Sequence, residues 1–247
     1  MTFDPFGDFS EKGYLRNIAR SKDRTEIAIL ETDSFIRNIE RALLALKGER
    51  TLGYTNLLGT HKLLFGGLYP WAGKDRSETA PNLAIKKAGL TDLFAYPNEI
   101  RRAGQHALDQ GSNAQIMRAK PGEVMGYLAY AHPFLDGNGR TIMTVHSDLC
   151  RRAGIHIDWA NTDKSAYLSA LTKELQRPER GHLDAYLKPF VREGALDITS
   201  ASNTLQETRG LNGLLAALRD ENSPQSAAPR AEKRTIDRAR GSGGPEI

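Results

Sequence analysis

One nine-residue stretch carries the side chains needed to bind phosphate and a metal ion and to remove a proton. Residues 132–140 read His-Pro-Phe-Leu-Asp-Gly-Asn-Gly-Arg. Histidine titrates near neutrality, so His132 is a candidate general base, and Asp136 offers a carboxylate for Mg²⁺. The fork of donors on Arg140 can grip a phosphate group. This combination predicts a site where a polyphosphate is held while an attacking hydroxyl loses its proton.

The glycines of this stretch predict a turn that lets backbone approach the phosphates. Gly137 and Gly139 flank Asn138, whose amide can donate to a phosphate oxygen. A helix expected at 141–152 would place backbone N–H groups of the turn at a helix N-terminus, where anions bind well. Phe134 is interpreted as a buried anchor that fixes the loop.

The elements that must position this loop are predicted to be helices. Apolar residues recur at helical spacing in several segments. We predict helices at 24–47, 54–65, 97–108, 120–130, 141–152, 164–176 and 181–191. The helix at 120–130 would deliver His132 at its end, where Pro133 stops it. Strand signals are sparse, so the pattern favours an all-α helical bundle.

Two segments resemble the Fic family. The stretch 132–140 is similar, without a break, to the family motif His-x-Phe-x-Asp/Glu-Gly-Asn-Gly-Arg-x-x-Arg. Residues 69–76, which read Tyr-Pro-Trp-Ala-Gly-Lys-Asp-Arg, resemble a second family segment, and the likeness extends from about residue 13 to 190. The resemblance implies a Fic-type helical bundle with a small β-hairpin flap, which we expect at 83–96. Such a flap would align an extended target segment by strand addition.

The resemblance also implies an activity. A Fic-type protein adenylyltransferase moves AMP from ATP, with Mg²⁺, onto a Ser, Thr or Tyr hydroxyl of a target protein. His132 would be the general base and Asp136 the metal ligand. The nucleotide would be bound by Phe134, Gly137, Asn138, Gly139 and Arg140.

Met143 departs from the family motif, which has a second arginine at that position. In similar proteins this arginine holds the terminal phosphate and so exposes the α-phosphorus. A methionine has no donor for that contact. Two alternatives to AMP transfer therefore stay open: transfer of another nucleotide or phosphate-containing group through the same loop, and a degenerate module that binds nucleotide or a partner without turnover.

Regulation is also affected by Met143. Many Fic proteins carry an inhibitory helix with a Ser/Thr-x-x-x-Glu pattern, whose glutamate pairs with the second arginine. None of the predicted helices contains such a pattern, and Met143 removes the arginine. We therefore expect no inhibition of this kind within the chain. A separate antitoxin-like protein, as in toxin–antitoxin pairs, is a candidate partner.

Three other reactive side chains are interpreted as structural. His61 and His146 lie on predicted helix faces and are expected to pack or to form hydrogen bonds. Cys150 is the single cysteine, so no disulfide can form within the chain. Its place in an apolar-periodic helix predicts a buried thiol rather than a nucleophile.

Four residues have two interpretations each. Lys74 and Arg76 could contact target or nucleotide, or could belong to a solvated turn. Trp159 and Tyr167 could line a nucleobase pocket, although packing in the core is the favoured interpretation.

Composition is typical of a globular protein. Hydrophobic residues make up 39% and charged residues 26% of the chain, and the net charge is +4. This mildly basic balance predicts no nucleic-acid partner. Without a signal sequence or an apolar run of ~20 residues, we expect no membrane insertion and a cytoplasmic location; delivery into another cell by a signal-independent route stays open.

The chain is predicted to have four parts. An N-terminal segment and helix (1–50) would pack on a Fic core (51–192). A helical extension (193–219), with a leucine stripe at 211–218, would follow, and a disordered tail (220–247) rich in Ser, Pro, Gly and charged residues would end the chain.

Overall fold

The computed structural model describes residues 15–82 and 93–208. These ranges contain ten α-helices and one two-stranded sheet. The helices are α1 (Arg24–Gly48), α2 (Tyr54–Phe65), α3 (Arg76–Thr79), α4 (Ile100–Ser112), α5 (Ala114–Ala119), α6 (Pro121–Ala131), α7 (Asn138–Arg152), α8 (Lys164–Gln176), α9 (His182–Leu187) and α10 (Ile198–Glu207). The strands are β1 (Ile155–Ile157) and β2 (Val191–Glu193). The predicted all-α helical bundle is thus confirmed.

Helix α1 is the longest element and supports the central helices. The side chain of Asp23 caps it by accepting hydrogen bonds from the N–H groups of Thr25 and Glu26. Its buried stripe, which includes Phe35, Ile39 and Leu43, packs against α2 and α7. The predicted bounds of α2 and α8 are confirmed at both ends, because their apolar periodicity and their flanking residues agree.

Helices α6 and α7 hold the loop 132–137 between them. The first turn of α6 contains Pro121, and the Asp184 carboxylate accepts hydrogen bonds from the next two N–H groups, of Gly122 and Glu123. Helix α6 ends at Ala131, one residue beyond the predicted 130. Helix α7 begins at Asn138 rather than at residue 141, so the prediction placed this start one turn too late. The second half of the motif therefore forms the first turn of a helix.

The sheet corrects another prediction. A single helix was expected at 181–191, but α9 ends at Leu187, a 3₁₀ turn follows at Lys188–Phe190, and β2 pairs antiparallel with β1. Pro189 has no N–H group to continue the helical hydrogen bonds, which explains the early end. The predicted helix at 97–108 is present but shifted, since α4 spans Ile100–Ser112.

Some predictions concern residues outside the described ranges. The flap at 83–96 is described only at 93–96, and the stripe at 211–218 and the tail at 220–247 lie wholly outside. The four-part division stays a prediction. Among the described helices, none combines the length and apolarity needed to span a bilayer.

Candidate active site

His132 sits at the junction between helix α6 and the loop. It follows Ala131 with φ of 38° and ψ of 59°, a left-handed backbone that costs a non-glycine residue on the order of 1 kcal/mol. Its ring packs against Phe94, with 4.1 Å between the ring centroids. His132 lines a cavity of about 260 Å³, which Gly139 and Met143 also line. The candidate base and the start of α7 therefore face one space.

Arg76 fixes the backbone that carries His132. Its Nε donates to the carbonyl oxygen of His132 over 2.8 Å, and Nη2 donates to the carbonyl oxygen of Ala95 over 2.8 Å. The backbone N–H of Arg76 donates to the carbonyl oxygen of Pro133. The side chain is completely buried, and this burial lowers the pKa of Arg76 to about 10, which leaves it cationic at neutral pH. The solvated-turn interpretation is thus wrong for Arg76, whereas Lys74 is exposed.

The amide of Asn138 closes the loop on itself. Its Oδ1 accepts a hydrogen bond from the N–H of Phe134, and its Nδ2 donates to the carbonyl oxygen of the same residue, at 2.9 and 2.7 Å. One amide hydrogen of Asn138 is thus already in use, and its contact with a phosphate stays a prediction. Phe134 is fully buried, which confirms its interpretation as an anchor.

His61 links the segment 69–76 to the loop. The N–H of Gly73 donates to its Nδ1 over 2.9 Å, so the proton must be on Nε2, which donates to the carbonyl oxygen of Asp136. The ring also stacks on Phe134, with 3.8 Å between centroids. Burial lowers the pKa of His61 to about 3, so the ring is neutral. Its predicted role in packing and hydrogen bonding is confirmed.

The two glycines of the motif face different surroundings. Gly137 has φ of +76°, and a β-carbon on it would lie 2.7 Å from Cε2 of Phe65. A β-carbon on Gly139 would meet no atom within 4 Å. The N–H groups of the first turn of α7 have no acceptor within the helix, as in every helix N-terminus. Gly139 thus leaves open the side from which an anion can approach them.

Two carboxylates and one guanidinium lie together next to this helix terminus. Oδ1 of Asp136 accepts from the N–H of Gly137 over 2.6 Å. Although Asp136 keeps solvent-accessible surface, protein packed around its carboxyl group and the charge of Glu31 raise its pKa. Glu31, in α1, forms an ion pair of 2.9 Å with Arg140, and it also accepts from the Tyr69 hydroxyl. Glu31 was not among the predicted site residues, because no local pattern in the sequence marks it.

Comparison with known proteins agrees with this geometry. Residues 51–150 match the Fic/DOC family. The chain carries a Fic domain. Over 165 residues, 65% of this chain, it is 33% identical to the protein adenylyltransferase VbhT of Bartonella schoenbuchensis, and it spans 34% of that protein. Over 168 residues it is 26% identical to the probable protein adenylyltransferase y4lH of Sinorhizobium fredii and spans 82% of it.

Solved structures show the same fold. The VirB-translocated effector BepC of Bartonella tribocorum, solved with bound AMPPNP, aligns with a TM-score of 0.62 at 18% identity. That alignment covers 78% of this chain and 99% of BepC. The N-terminal Fic domain of a Bep effector of Bartonella quintana aligns with a TM-score of 0.60 at 23% identity, over 74% and 90% of the two chains. At these identities the likeness shows the fold alone.

The cavity of the Fic domain has a mainly apolar wall. Met143 is buried there, 6% exposed, together with Ile142. Trp159 and Tyr167 line the same cavity, with their rings in edge contact. These two aromatic residues therefore face the site that contains His132 as well as packing on the core.

The two remaining structural predictions are confirmed. His146 is buried, and its Nε2 lies 2.8 Å from the carbonyl oxygen of Pro121. Burial lowers the pKa of His146 to about 4 and raises that of the Cys150 thiol, so the histidine is neutral and the thiol is protonated. Cys150 is thus a packing residue and not a nucleophile.

Proposed function

We propose that this chain transfers AMP from ATP to a Ser, Thr or Tyr hydroxyl of a target protein. One observation carries the proposal: His132 and the open N-terminal turn of α7 line the same cavity, so a base and an anion site meet. The relative VbhT is named a protein adenylyltransferase, and BepC binds AMPPNP. The name of the first protein and the nucleotide analogue bound by the second support an ATP-dependent reaction.

In the proposed reaction His132 removes the proton of the target hydroxyl. The hydroxyl oxygen attacks the α-phosphorus of ATP, a new P–O bond forms, and the bond to the bridging oxygen breaks as pyrophosphate leaves with the electron pair. The bond from Arg76 to the carbonyl oxygen of His132 holds this base in its strained, left-handed backbone. Arg76 is thus a positioning residue.

The chain supplies two kinds of contact for the phosphates. The N–H groups at the start of α7 would bind phosphate oxygens, with Gly139 leaving them accessible. Arg140 would bind a further oxygen, and to do so it must share or exchange its ion pair with Glu31. The charge of Glu31 therefore opposes nucleotide binding.

Asp136 fits the requirements of a magnesium ligand. The residue keeps exposed surface beside the α7 N-terminus, and Mg²⁺ in nucleotide sites commonly takes one or two carboxylates plus phosphate and water. Across 15–82 and 93–208, no three His, Cys, Asp or Glu side chains are grouped as a metal site, so phosphates and water would complete the shell. When bound, the ion would neutralise phosphate charge.

The target would approach beside the segment 93–96. Ala95 is held there by two bonds: its N–H donates to the carbonyl oxygen of Tyr130, and its carbonyl oxygen accepts from Arg76. Phe94 packs on His132. A target chain that paired with the predicted flap would thus come close to His132 at the segment 93–96. Strand addition at 83–92 is part of the proposal.

A second candidate function is transfer of a different phosphate-containing group. The observation that favours it is the buried Met143 in the cavity wall, at the position where the family motif has a cation. Without that cation the terminal phosphate of ATP has one ion-pair partner fewer. A donor with a less charged leaving group would lose less from this substitution.

Labelled nucleotides separate these functions. The chain is incubated with a cell lysate and ATP labelled at the α- or the γ-phosphate. We expect protein label from the α-phosphate, and we expect His132→Ala to lower it by about 10²–10⁴-fold while ATP affinity is kept. His182→Ala, on α9, is the matched control. Label only from the γ-phosphate would support phosphotransfer, and full activity of His132→Ala would contradict the assigned base.

A further inference from the structure

A second, larger cavity of about 620 Å³ lies between α4 and α6, and its lining residues differ almost entirely from those of the His132 cavity. We call it the α4–α6 groove. Four glutamates line it, and two tyrosines form part of its wall. These residues are Glu99, Glu123, Glu174, Glu179, Tyr127 and Tyr130. The nucleotide chemistry described above uses none of them.

Two of the four carboxylates lack a cationic partner. Arg102 pairs with Glu99 over 2.7 Å and Lys120 pairs with Glu123 over 2.9 Å. Within 15–82 and 93–208, Glu174 and Glu179 form no ion pair. The part of the groove near these two residues therefore carries negative charge that no direct ion pair with a described residue neutralises.

Glu174 provides the second observation. Glu174 is only 2% exposed. Its Oε2 accepts from the N–H of Leu183 over 3.0 Å, while its Oε1 has no hydrogen-bond partner in the described part of the chain. A buried charged acceptor without a donor costs more free energy than a neutral one, because more solvation is lost. A cation bound in the groove would remove that cost.

One of the groove carboxylates contacts the side chain of Tyr127. The hydroxyl of Tyr127 donates to Glu123 over 3.1 Å, and its pKa is raised to about 12 by burial, by that hydrogen bond, and by the charges of Glu123, Glu179 and Glu174. The Tyr127 ring, in edge contact with His106, gives the same place an aromatic surface. Negative charge in an aromatic-walled groove suits a cation on an apolar stem.

We propose that the α4–α6 groove binds a lysine or arginine side chain of the target protein. The cation would lie at Glu174 and Glu179, and the alkyl stem would lie along Tyr127. Tyr130 also lines the groove, and its carbonyl oxygen accepts from the N–H of Ala95, so one residue of the groove wall is bonded to the segment 93–96 where the target would approach. The assignment to a target protein rests on the proposed function; cation binding itself does not.

Cation binding can be measured without nucleotide. Pentylammonium is titrated into the full ¹⁵N-labelled chain, with pentanol as the uncharged counterpart. We expect saturable amide shifts along α4 and α6, and affinity at least about tenfold weaker in a Glu174→Gln/Glu179→Gln variant, because a hydrogen bond to a charged group is lost. Glu40→Gln, on the exposed face of α1, should bind like wild type. Equal binding of pentanol, or unchanged affinity in the double variant, would overturn the site.

A second titration identifies the source of the cation. An extended peptide with a central lysine is compared with spermidine, and the same peptide with norleucine is the control. We expect the lysine peptide to bind at least as tightly as spermidine, to shift the amides of 93–96, and to lose binding with norleucine. Tighter spermidine binding would overturn the assignment to a protein side chain. Absence of protein labelling from ATP would instead contradict the proposed function and leave cation binding intact.

Discussion

At the scale of single residues, the two motif glycines differ in what lies beside them. Gly137 turns inward with a positive φ and nearly touches Phe65, whereas Gly139 faces open space in the first turn of α7. The first is required by packing, because a side chain has no room there. The second is required only if something must approach the helix terminus closely. A substitution at Gly137 should therefore affect stability, whereas a substitution at Gly139 should affect ligand binding.

The first prediction uses this difference. Gly139→Ala should keep the free energy of unfolding or raise it by about 0.5–1 kcal/mol, since alanine favours the helix, and should weaken ATP binding because its methyl group stands in the phosphate path. Gly137→Ala should lower the free energy of unfolding by about 1–3 kcal/mol through strain and overpacking. Urea unfolding and calorimetric titration with ATP measure both. Unchanged ATP affinity of Gly139→Ala would exclude the helix terminus as the phosphate site.

Glu31 is the second residue with a separable effect. Its carboxylate pairs with Arg140 and lies near Asp136, so it places negative charge where phosphates must bind. Glu31→Gln should tighten ATP binding by about 3- to 10-fold, since one charge-assisted pair no longer competes for the guanidinium. Calorimetric titration with ATP measures the change.

Tyr69→Phe is the matched control for Glu31. It removes the hydroxyl that donates to Glu31 and leaves the charge in place, so ATP affinity should stay close to wild type. Weaker ATP binding by Glu31→Gln would show instead that Glu31 orients Arg140 for the phosphate.

At the scale of elements, Arg76 connects three segments. It is the first residue of the short helix α3, and it binds carbonyl oxygens at the end of α6 and in the segment 93–96. These acceptors lie outside regular secondary structure, so no helix or sheet supplies them with donors. A single buried side chain thus fixes the position of the loop relative to the segment 93–96.

The third prediction concerns this connection. Arg76→Met leaves buried carbonyl oxygens unpaired and should lower the free energy of unfolding by about 2–4 kcal/mol, with a parallel loss of protein labelling. Lys74→Met changes the same kind of charge two residues earlier on the exposed surface and should shift stability by less than about 0.5 kcal/mol. Urea midpoints compare the two variants. Equal midpoints would refute a positioning role for Arg76.

At the scale of the whole molecule, two buried neutral histidines couple stability to pH. Burial lowers the pKa of His61 to about 3 and of His146 to about 4, from an ordinary 6.5. At each of these histidines, the unfolded chain therefore binds more protons than the folded chain at pH values between the lowered pKa and 6.5. The stability that the neutral rings provide is complete above about pH 6.5 and decreases as the pH falls towards 4.

The fourth prediction isolates one of these histidines. Each one contributes a slope of about 1.4 kcal/mol per pH unit within its window, so His146→Gln should reduce the slope of stability against pH between 6 and 4 by about that amount. The raised pKa of Asp136 contributes a slope of the opposite sign. This contribution is the same in wild type and in His146→Gln, so it cancels when the two slopes are compared. Urea unfolding at several pH values gives the slopes. Identical slopes would mean that His146 binds its proton equally in the folded and the unfolded chain, so that its pKa is not lowered by folding.

The sequence by itself determined the helices and the composition of the loop. Capping residues and apolar periodicity act over one or two turns, and α1, α2 and α8 followed them closely. The motif residues at 132–140 are adjacent in the chain, so their types and spacing are enough to predict a shared chemistry. Local rules were less successful at α9, where a proline and a strand partner decided the outcome.

Only the tertiary structure decided which distant side chains complete the site. Glu31 and Arg140 are separated by 109 positions, and Arg76 and His132 by 56, so no local pattern could pair them. The inward side of Gly137 and the open side of Gly139 likewise depend on what α2 packs against them. Hydrogen bonds and ion pairs act over a few ångströms of space, and folding rather than chain order determines which groups come within that range.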